Sequence, residues 1–167
     1  MTTPAGVNLR AARVDDAEAG ARLHIACWRE AYGPITDLVR LEDHLADEVG
    51  WSGRWRSQIE QGVGPLLAVA GDELVGFATA GPGRGEVVPA PVELYAVYVR
   101  QVWHGSGVGP ALLDATLGGE SAYLWVLEDN ARARAFYARH GFAPDGVRKK
   151  YDPLDAWELR MVRPRLG

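Results

Sequence analysis

The chain has 167 residues, of which 47% are hydrophobic and 24% charged, and its formal net charge at pH 7 is −4. This length and composition fit one soluble domain with its own core, and the negative charge disfavours non-specific binding to nucleic acid. No apolar run is long enough to cross a bilayer and Cys27 is the only cysteine, so we expect a cytoplasmic protein with no disulfide and no membrane segment.

The N-terminal region predicts a strand followed by a long helix. The stretch VNLRAARV at residues 7–14 alternates loosely, as a strand does, and Asp15 or Asp16 can then cap the helix. The helix is predicted over AEAGARLHIACWREAY, residues 17–32, and it ends at the Gly-Pro pair that follows. Aromatic side chains recur along one stripe of this helix at four-residue spacing, which places them on a common face.

A second helical segment and a β-hairpin are predicted in the middle of the chain. Leucine and valine recur every four residues in DLVRLEDHLADEV, residues 37–49, and Gly50 and Gly53 are expected to break or bend this helix. Two apolar runs then flank Gly71-Asp72 and predict the hairpin. The Gly- and Pro-rich stretch PGRGEVVPAP, residues 82–91, is predicted to be a loop.

The C-terminal half predicts alternating strands and helices. Strands are expected at VELYAVYV (residues 92–99) and AYLWVL (residues 122–127), the second nearly all apolar and therefore central. A helix of about two turns follows the glycine-dense loop between them, another begins after the N-cap Asn130 and ends at Gly141, and two strands surround Asp152-Pro153. The resulting order, β-α-α-β-β-β-α-β-α-β-β, indicates a single α+β domain over the whole chain with one mixed sheet.

The glycine-dense stretch VWHGSGVG, residues 102–109, raises the question of which anion it binds. It lacks the lysine of a Walker loop, and Pro110 stands where the dinucleotide fingerprint G-x-G-x-x-G has its third glycine. What remains is a row of backbone N–H groups at the start of a helix, which binds phosphate without a side-chain cation. A tight strand-to-helix connection with no ligand is the alternative explanation.

Two segments, VELYAVYVRQVWHGSGVGPALL and LWVLEDNARARAFYARHGF, resemble the GNAT superfamily of acyl-CoA-dependent N-acetyltransferases. The family's loop, Q/R-x-x-G-x-G/A, matches residues 104–109 except at His104, and Gln101 stands where a proline is common. The second motif, a strand, an Asn and a helix with Tyr before Gly-Phe, matches Asn130, Tyr137, Gly141 and Phe142. The resemblance implies the GNAT fold, a single mixed, mostly antiparallel, twisted sheet of about seven strands flanked by about four helices.

The resemblance also implies that acetyl-CoA is the co-substrate, with its pyrophosphate at the glycine loop and its pantetheine arm along the preceding strand. The cofactor-binding residues that it implies are Val97, Tyr98, Val99, His104, Gly105, Ser106, Gly107, Val108, Gly109 and Asn130. Asn130 is equally explained as a helix cap. The expected reaction is direct transfer of acetyl to an amine of a small molecule, with no covalent enzyme intermediate.

Acetyl transfer to an amine requires the removal of a proton, since an alkylammonium has a pKa of about 10.4. Glu93 is the candidate general base because it is a carboxylate in an otherwise apolar strand, where burial would raise its pKa, and similar proteins carry a base there. Tyr137 is the candidate general acid because a phenol stays protonated at neutral pH and the family places it near the leaving thiolate. The structural alternatives are a solvated strand end for Glu93 and simple helix packing for Tyr137.

Trp28 and Tyr32 are the candidate substrate-binding residues. With Trp51 and Trp55, they lie in or near helical segments that wall the acceptor pocket in similar proteins, and large aromatic side chains suit a flat or amphipathic amine. Core packing is the competing explanation for all four residues. The scattered histidines show no metal-ligand spacing, so no metal is expected.

Two other functions are compatible with the same sequence. One is a non-catalytic acyl-CoA-binding or regulatory module on the same fold, and the other is a protein N-terminal or lysine acetyltransferase. The second alternative predicts an open acidic groove in place of a closed aromatic pocket. The negative net charge permits a cationic acceptor, such as a polyamine or an aminoglycoside, without selecting one, and the family resemblance is compatible with a homodimer.

Overall fold

The computed structural model describes residues 2–167, in which the predicted order of elements is confirmed with one additional helix. The strands are β1 Val7–Ala11, β2 Leu66–Ala70, β3 Glu73–Pro82, β4 Val92–Val99, β5 Ala122–Leu127, β6 Ala143–Tyr151 and β7 Ala156–Arg163. The helices are α1 Ala17–Tyr32, α2 Leu38–Leu45, α3 Glu48–Glu60, α4 Val108–Leu117 and α5 Ala131–Arg139. None of these helices has the length and apolar character needed to span a membrane.

The additional helix arises because the second helical segment divides before Asp47 and not at the glycines. Asp47 caps α3, since its carboxylate accepts a hydrogen bond from the Gly50 backbone N–H at 2.9 Å. A Cβ at Gly50 would collide with that carboxylate, so the glycine makes room for the cap. The predicted break at Gly50 and Gly53 was therefore wrong, and α3 continues through both residues.

The bounds predicted for α1 are confirmed, but its start is built differently from the prediction. β1 ends at Ala11, and a short 3-10 turn, Val14–Asp16, precedes the helix. Asp16 occupies the N-cap position without capping α1 through its side chain. Its carboxylate instead pairs with the Arg10 guanidinium at 2.7 Å and accepts the Arg13 backbone N–H at 2.7 Å. The hydrogen bonds from Arg10 lower the pKa of Asp16. Through its contacts with Arg10 and Arg13, this carboxylate stabilises the turn before α1 and not the helix itself.

All seven strands form one sheet in the order β1-β2-β3-β4-β5-β7-β6. Neighbouring strands are antiparallel except β4 and β5, which are parallel. The β2–β3 hairpin turns at Gly71, which has a φ of +60°, as the sequence predicted. β5 lies inside the sheet, as expected from its apolar composition. β6 is an outer strand, and its register with β7 shifts between Pro144 and Arg148.

The sheet separates two layers of helices. α1, α2 and α3 cover one face, where Trp55 and Phe77 are buried, and α4 and α5 cover the other, where Leu112 and Leu124 are buried. Cys27 lies in the first layer, and burial raises the pKa of its thiol to about 12, as expected for a structural cysteine. Side chains of β4 alternate between the two layers except at the neighbouring residues Tyr95 and Ala96, which both lie on the α1 face.

Candidate active site

The site forms where β4 and β5 separate near the centre of the sheet. The two strands pair only over Val92–Leu94 and Ala122–Leu124, although both continue beyond these residues. The register of β4 with β3 shifts at Tyr95, a one-residue bulge. After this point, β4 and β5 share no pairing within the described residues, so the backbone edge of β4 faces an opening.

The loop after β4 has three glycine N–H groups with no internal acceptor. Within residues 2–167, the backbone N–H groups of Gly105, Gly107 and Gly109 donate no hydrogen bond. Gly105 and Gly107 have φ values of +78° and +96°, which glycine adopts without a steric penalty. A Cβ at Gly105 would meet nothing within 4 Å, so the space beside the loop is open. N–H groups presented this way before α4 are suited to bind a phosphate group.

The other N–H groups of this loop are used inside the protein. His104 and Ser106 donate their backbone N–H groups to carbonyls of the preceding turn, and the Val108 N–H lies 3.4 Å from the Ser106 Oγ. The His104 ring nitrogen Nε2 lies 2.9 Å from the carbonyl oxygen of Val99. His104 and Ser106 thus brace the loop, and the groups available for an anion are those of the glycines.

The remaining cofactor-binding candidates occupy both sides of β4 and the start of α5. The side chains of Val97 and Val99 pack toward α4, and that of Tyr98 packs toward α1. The Asn130 side chain caps α5, since its Oδ1 accepts the Ala133 N–H at 3.1 Å. The capping explanation for Asn130 is therefore confirmed, and its contact with a cofactor stays a prediction.

A pocket of about 300 Å³ lies on the α1 face beside the opening. Its wall carries six aromatic and four charged side chains, which are Trp28, Tyr32, Tyr95, Tyr98, Trp125, Tyr151, Arg84, Glu93, Lys149 and Glu158. Trp28 and Tyr32, the predicted substrate residues, both line it. The Tyr32 and Tyr98 hydroxyl oxygens are 2.6 Å apart, which links α1 to β4 at the opening.

Trp51 and Trp55 belong to the core and do not line this pocket. They are 5% and 3% exposed, and their rings pack against His24. The Trp55 Nε1 donates to His24 Nδ1 at 3.2 Å, and burial lowers the pKa of His24 to about 3. The core-packing explanation therefore holds for these two tryptophans. Among residues 2–167, no group of three or more His, Cys, Asp or Glu side chains is arranged to hold a metal ion.

Glu93 lies in the pocket wall with its carboxylate fully engaged. It is 3% exposed, which excludes the solvated strand end. Its Oε2 accepts the Arg84 backbone N–H at 2.9 Å, the Arg84 Nε at 3.3 Å and the Tyr123 hydroxyl at 2.9 Å, and its Oε1 accepts the Arg84 Nη2 at 2.9 Å. Burial raises the pKa of Glu93, but the hydrogen bonds from Arg84 and Tyr123 outweigh burial and lower it. The predicted upward shift was therefore wrong.

Arg84 attaches the β3–β4 loop to this carboxylate. Its guanidinium carbon also lies 4.0 Å from the centroid of the Tyr95 ring, and its backbone N–H donates to the Tyr123 hydroxyl at 2.9 Å. The Arg84 side chain is nevertheless 66% exposed. The guanidinium therefore contacts Glu93 and Tyr95 and is otherwise open to solvent.

Tyr137 lies on α5, on the opposite face of the sheet from the pocket. Its ring packs against Phe136 and Phe142 at centroid distances of 5.3 and 5.8 Å, and it is 9% exposed. Burial raises the pKa of Tyr137, so the phenol stays protonated. Burial also raises the pKa of Tyr32 and of Tyr98, and the proximity of Tyr137 adds to both shifts. Tyr137 also packs in one cluster with Leu94 and Val97 of β4, so it lies beside the opening, across the sheet from the pocket.

Three pocket residues on the last strands and on β5 were not predicted as site residues, although Lys149 stands in a run of three cations that the sequence explains as a solvated face. Glu158 of β7, Lys149 of β6 and Trp125 of β5 line the same wall. The Lys149 Nζ lies 3.8 Å from a Glu158 carboxylate oxygen and 4.1 Å from the centroid of the Trp125 ring. Burial raises the pKa of Glu158. The signal in the sequence was weak, because the strand AWELRMVR also contains Arg160 and Arg163, whereas Glu93 is the only charged residue of its strand.

Comparison with known proteins agrees with this geometry. Residues 22–142 match the model of the acetyltransferase (GNAT) family. The probable N-acetyltransferase Rv2775 of Mycobacterium tuberculosis is 27% identical over 172 residues, 98% of this chain and 95% of that protein. The uncharacterized N-acetyltransferase YuaI of Bacillus subtilis is 32% identical over 166 residues, 94% of this chain and 88% of that protein. The crystal structure of PaiA N-acetyltransferase from Thermoplasma acidophilum with coenzyme A has the same fold, with a TM-score of 0.70 at 18% identity over 95% of this chain and 98% of that one.

Proposed function

The chain belongs to the GNAT acetyltransferase family, and from this premise we propose that it moves the acetyl group of acetyl-CoA directly to the primary amine of a small molecule. The proposal includes Glu93 as general base and Tyr137 as general acid. The observation that carries it is the opening between β4 and β5, which has Tyr137 near one side and the aromatic pocket with Glu93 on the other.

The glycine loop supports acetyl-CoA as the co-substrate. A pyrophosphate needs several convergent donors, and the N–H groups of Gly105, Gly107 and Gly109 are available for it. The unpaired edge of β4 leads from this loop to the pocket and offers backbone groups to the pantetheine arm. The same path would bring the thioester to the opening.

The chain's own residues would then manage two protons. Bound acetyl-CoA supplies a thioester whose C–S bond breaks as the amine nitrogen bonds to the acetyl carbon. Glu93 is ionised at neutral pH because its pKa is lowered, and it can accept the amine proton once the exposed Arg84 side chain moves away. Tyr137 keeps its proton until the thiolate departs and then donates it. Exchange with solvent afterwards returns Glu93 to its carboxylate and Tyr137 to its phenol form.

A small-molecule acceptor is favoured over a protein because the pocket at the opening between β4 and β5 is lined mainly by aromatic side chains. A second groove of about 360 Å³ adjoins the pocket and carries several carboxylates. Of these, Asp37 caps α2, Glu128 pairs with Arg148 at 2.7 Å, and Asp155 pairs with Lys150 at 2.8 Å. Asp129 is the fourth carboxylate, so this groove is acidic, as a protein acceptor would require. The aromatic pocket is the better candidate for the acceptor because it contains Glu93 and lies at the opening.

The test incubates the protein with acetyl-CoA and a panel of primary amines and short peptides, and follows release of the CoA thiol together with product mass. We expect an acetylated small amine and one CoA for each product molecule. Glu93→Gln should lower the rate and change its pH dependence without weakening the binding of acetyl-CoA. Binding of acetyl-CoA without transfer to any acceptor would instead identify a non-catalytic module, and selective modification of peptides would identify a protein acetyltransferase.

A further inference from the structure

Glu158 is the pocket carboxylate that remains available to a ligand. It projects from β7, where it is opposite Leu127 of β5 and Lys149 of β6, and its side chain is 14% exposed. Within residues 2–167 its one ion pair is the long contact with Lys149, whose Nζ lies 3.8 Å from the carboxylate. Glu93, by contrast, already accepts four hydrogen bonds. A donor that enters the pocket therefore finds free lone pairs on Glu158.

Lys149 shows which kind of group this position accommodates. Its Nζ is an alkylammonium placed 4.1 Å from the centroid of the Trp125 ring and 3.8 Å from Glu158. An ammonium over an aromatic face beside a carboxylate is a favourable arrangement for a cation. The Lys149 side chain is 51% exposed and makes no close hydrogen bond to Glu158, so a ligand can displace it toward solvent.

Aromatic side chains provide the space for the rest of such a ligand. The ring of Trp28 lies 4.9 Å from that of Tyr32 and 6.3 Å from that of Tyr151, and all three line the pocket. The Trp28 Nε1 is buried and has no hydrogen-bond partner in the described part of the chain. These walls favour a body that is apolar or aromatic over one that is highly charged.

Among the charged groups of this part of the pocket, the Glu158 carboxylate is the one that can bind a positively charged group of a ligand. Arg84 and Glu93 neutralise each other through their bidentate contact. Lys149 is then the cation that balances Glu158, at a distance longer than a hydrogen bond. A protonated amine that replaced Lys149 could approach to hydrogen-bond distance and so gain a charge-assisted hydrogen bond that Lys149 does not make.

We propose that the acceptor carries a protonated primary amine on an apolar or aromatic body, and that Glu158 binds this ammonium at the position that the Lys149 side chain occupies in the free protein. The inference rests on the proposed acetyl transfer to a small molecule and specifies the class of acceptor. Glu158 is then the residue that binds the cation. The bound ammonium loses one proton to solvent as the free amine forms, and the neighbouring Glu93 accepts the second as the nitrogen bonds to the acetyl carbon.

The test compares two ligands of similar shape and different charge. Isothermal titration measures binding of 2-phenylethylamine, a cation at neutral pH, and of 2-phenylethanol, which is neutral, to the protein saturated with CoA. Glu158→Gln should weaken binding of the amine about tenfold to a hundredfold, the effect of losing a charge-assisted hydrogen bond, and leave the alcohol unchanged. Lys149→Met should strengthen binding of the amine about two- to fivefold, because an exposed competing ion pair is removed.

Lys150→Met is the matched control, because it removes the same charge one residue further along β6. Lys150 pairs with Asp155 outside the pocket, so binding of either ligand should not change. Equal affinity of the wild type for amine and alcohol, an equal loss of both in Glu158→Gln, or weaker binding of the amine in Lys149→Met would each overturn the proposal.

Acetyl transfer to 2-phenylethylamine, measured on the same samples, separates this proposal from the proposed function. Charge-selective binding that depends on Glu158 but leads to no acetylation of any amine would leave the ammonium site standing and refute the transferase function for small amines. Acetylation of small amines at a KM that does not depend on Glu158 would refute the ammonium site alone. An unchanged thermal shift with acetyl-CoA shows that Glu158→Gln is folded.

Discussion

Replacing Gly107 with valine should abolish binding of acetyl-CoA while leaving the protein folded. The φ of Gly107 is +96°, a conformation that valine adopts only under strain. A Cβ there would touch only Pro4, with its Cγ at 3.4 Å, so the substitution creates no clash with the core. The strained loop is expected to relax, and the N–H groups that face the phosphate would then lose their alignment.

The expected change in Tm follows from two free energies, the one gained when acetyl-CoA binds and the one lost to backbone strain at residue 107. Acetyl-CoA at 100 times its Kd should stabilise the wild type by about 2.7 kcal/mol, which is a rise in Tm of roughly 5–11 °C for a chain of this length. Strain at one residue lowers stability by about 1–3 kcal/mol. Gly107→Val should therefore have a lower Tm in the absence of ligand and should lose most of the rise that acetyl-CoA produces.

Thermal unfolding with and without acetyl-CoA measures both effects, with ATP and NAD as control ligands. Gly146→Val is the matched variant, because Gly146 has a φ of +87°, its Cβ would also be free of contacts, and it lies in β6 away from the loop. It should lose similar stability and keep the full ligand shift. A full shift in Gly107→Val, or no shift in the wild type, would refute the assignment of the loop as the pyrophosphate site.

Three further changes probe the site. Tyr137→Phe should lower kcat about a hundredfold or more while keeping the acetyl-CoA thermal shift, and an unchanged kcat would exclude the phenol as general acid. Arg84→Gln removes hydrogen bonds that lower the pKa of Glu93, so that pKa rises and the fall in rate on acidification begins at a higher pH; a pH–rate profile that does not move contradicts Glu93 as the base. Tyr32→Phe leaves the half-buried Tyr98 hydroxyl without its partner at 2.6 Å and should reduce the free energy of unfolding by about 0.5–1.5 kcal/mol in urea titrations, whereas an unchanged midpoint would show that the pair adds no stability.

Local sequence patterns were sufficient to predict most helices and strands. They failed where one stretch carried two opposing signals, a helix-breaking residue and a helix-capping residue. The period of apolar residues and the Gly-Pro pair defined α1 to the residue, and the turn at Gly71-Asp72 defined the hairpin. At Gly50, the sequence presents both a helix-breaking residue and an aspartate three positions earlier. The cap from Asp47 prevailed because it satisfies a backbone donor that a new helix would otherwise leave unpaired.

The chemistry of the pocket depended on contacts that a linear pattern does not contain. The sequence pointed to Glu93 but could not indicate that Arg84, from the preceding loop, would reverse the direction of its pKa shift. Glu158 lies in a strand that also carries two arginines, so its sequence did not stand out, and only the order of strands brings it beside Trp125 and Lys149. The early end of β4–β5 pairing coincides with the bulge at Tyr95, which no pattern in the sequence marks.

The charged outer strand β6 also bears on how the protein avoids aggregation. An uncovered sheet edge is a template for strands of other molecules unless charge or irregular geometry prevents their addition. β6 has both protections, a register shift after Pro144 and the three consecutive cations Arg148, Lys149 and Lys150. Lys149 therefore contributes to colloidal stability as well as to the pocket. Variants that remove the charge of Lys149, such as Lys149→Met, should therefore be checked for self-association before their binding or kinetics is interpreted.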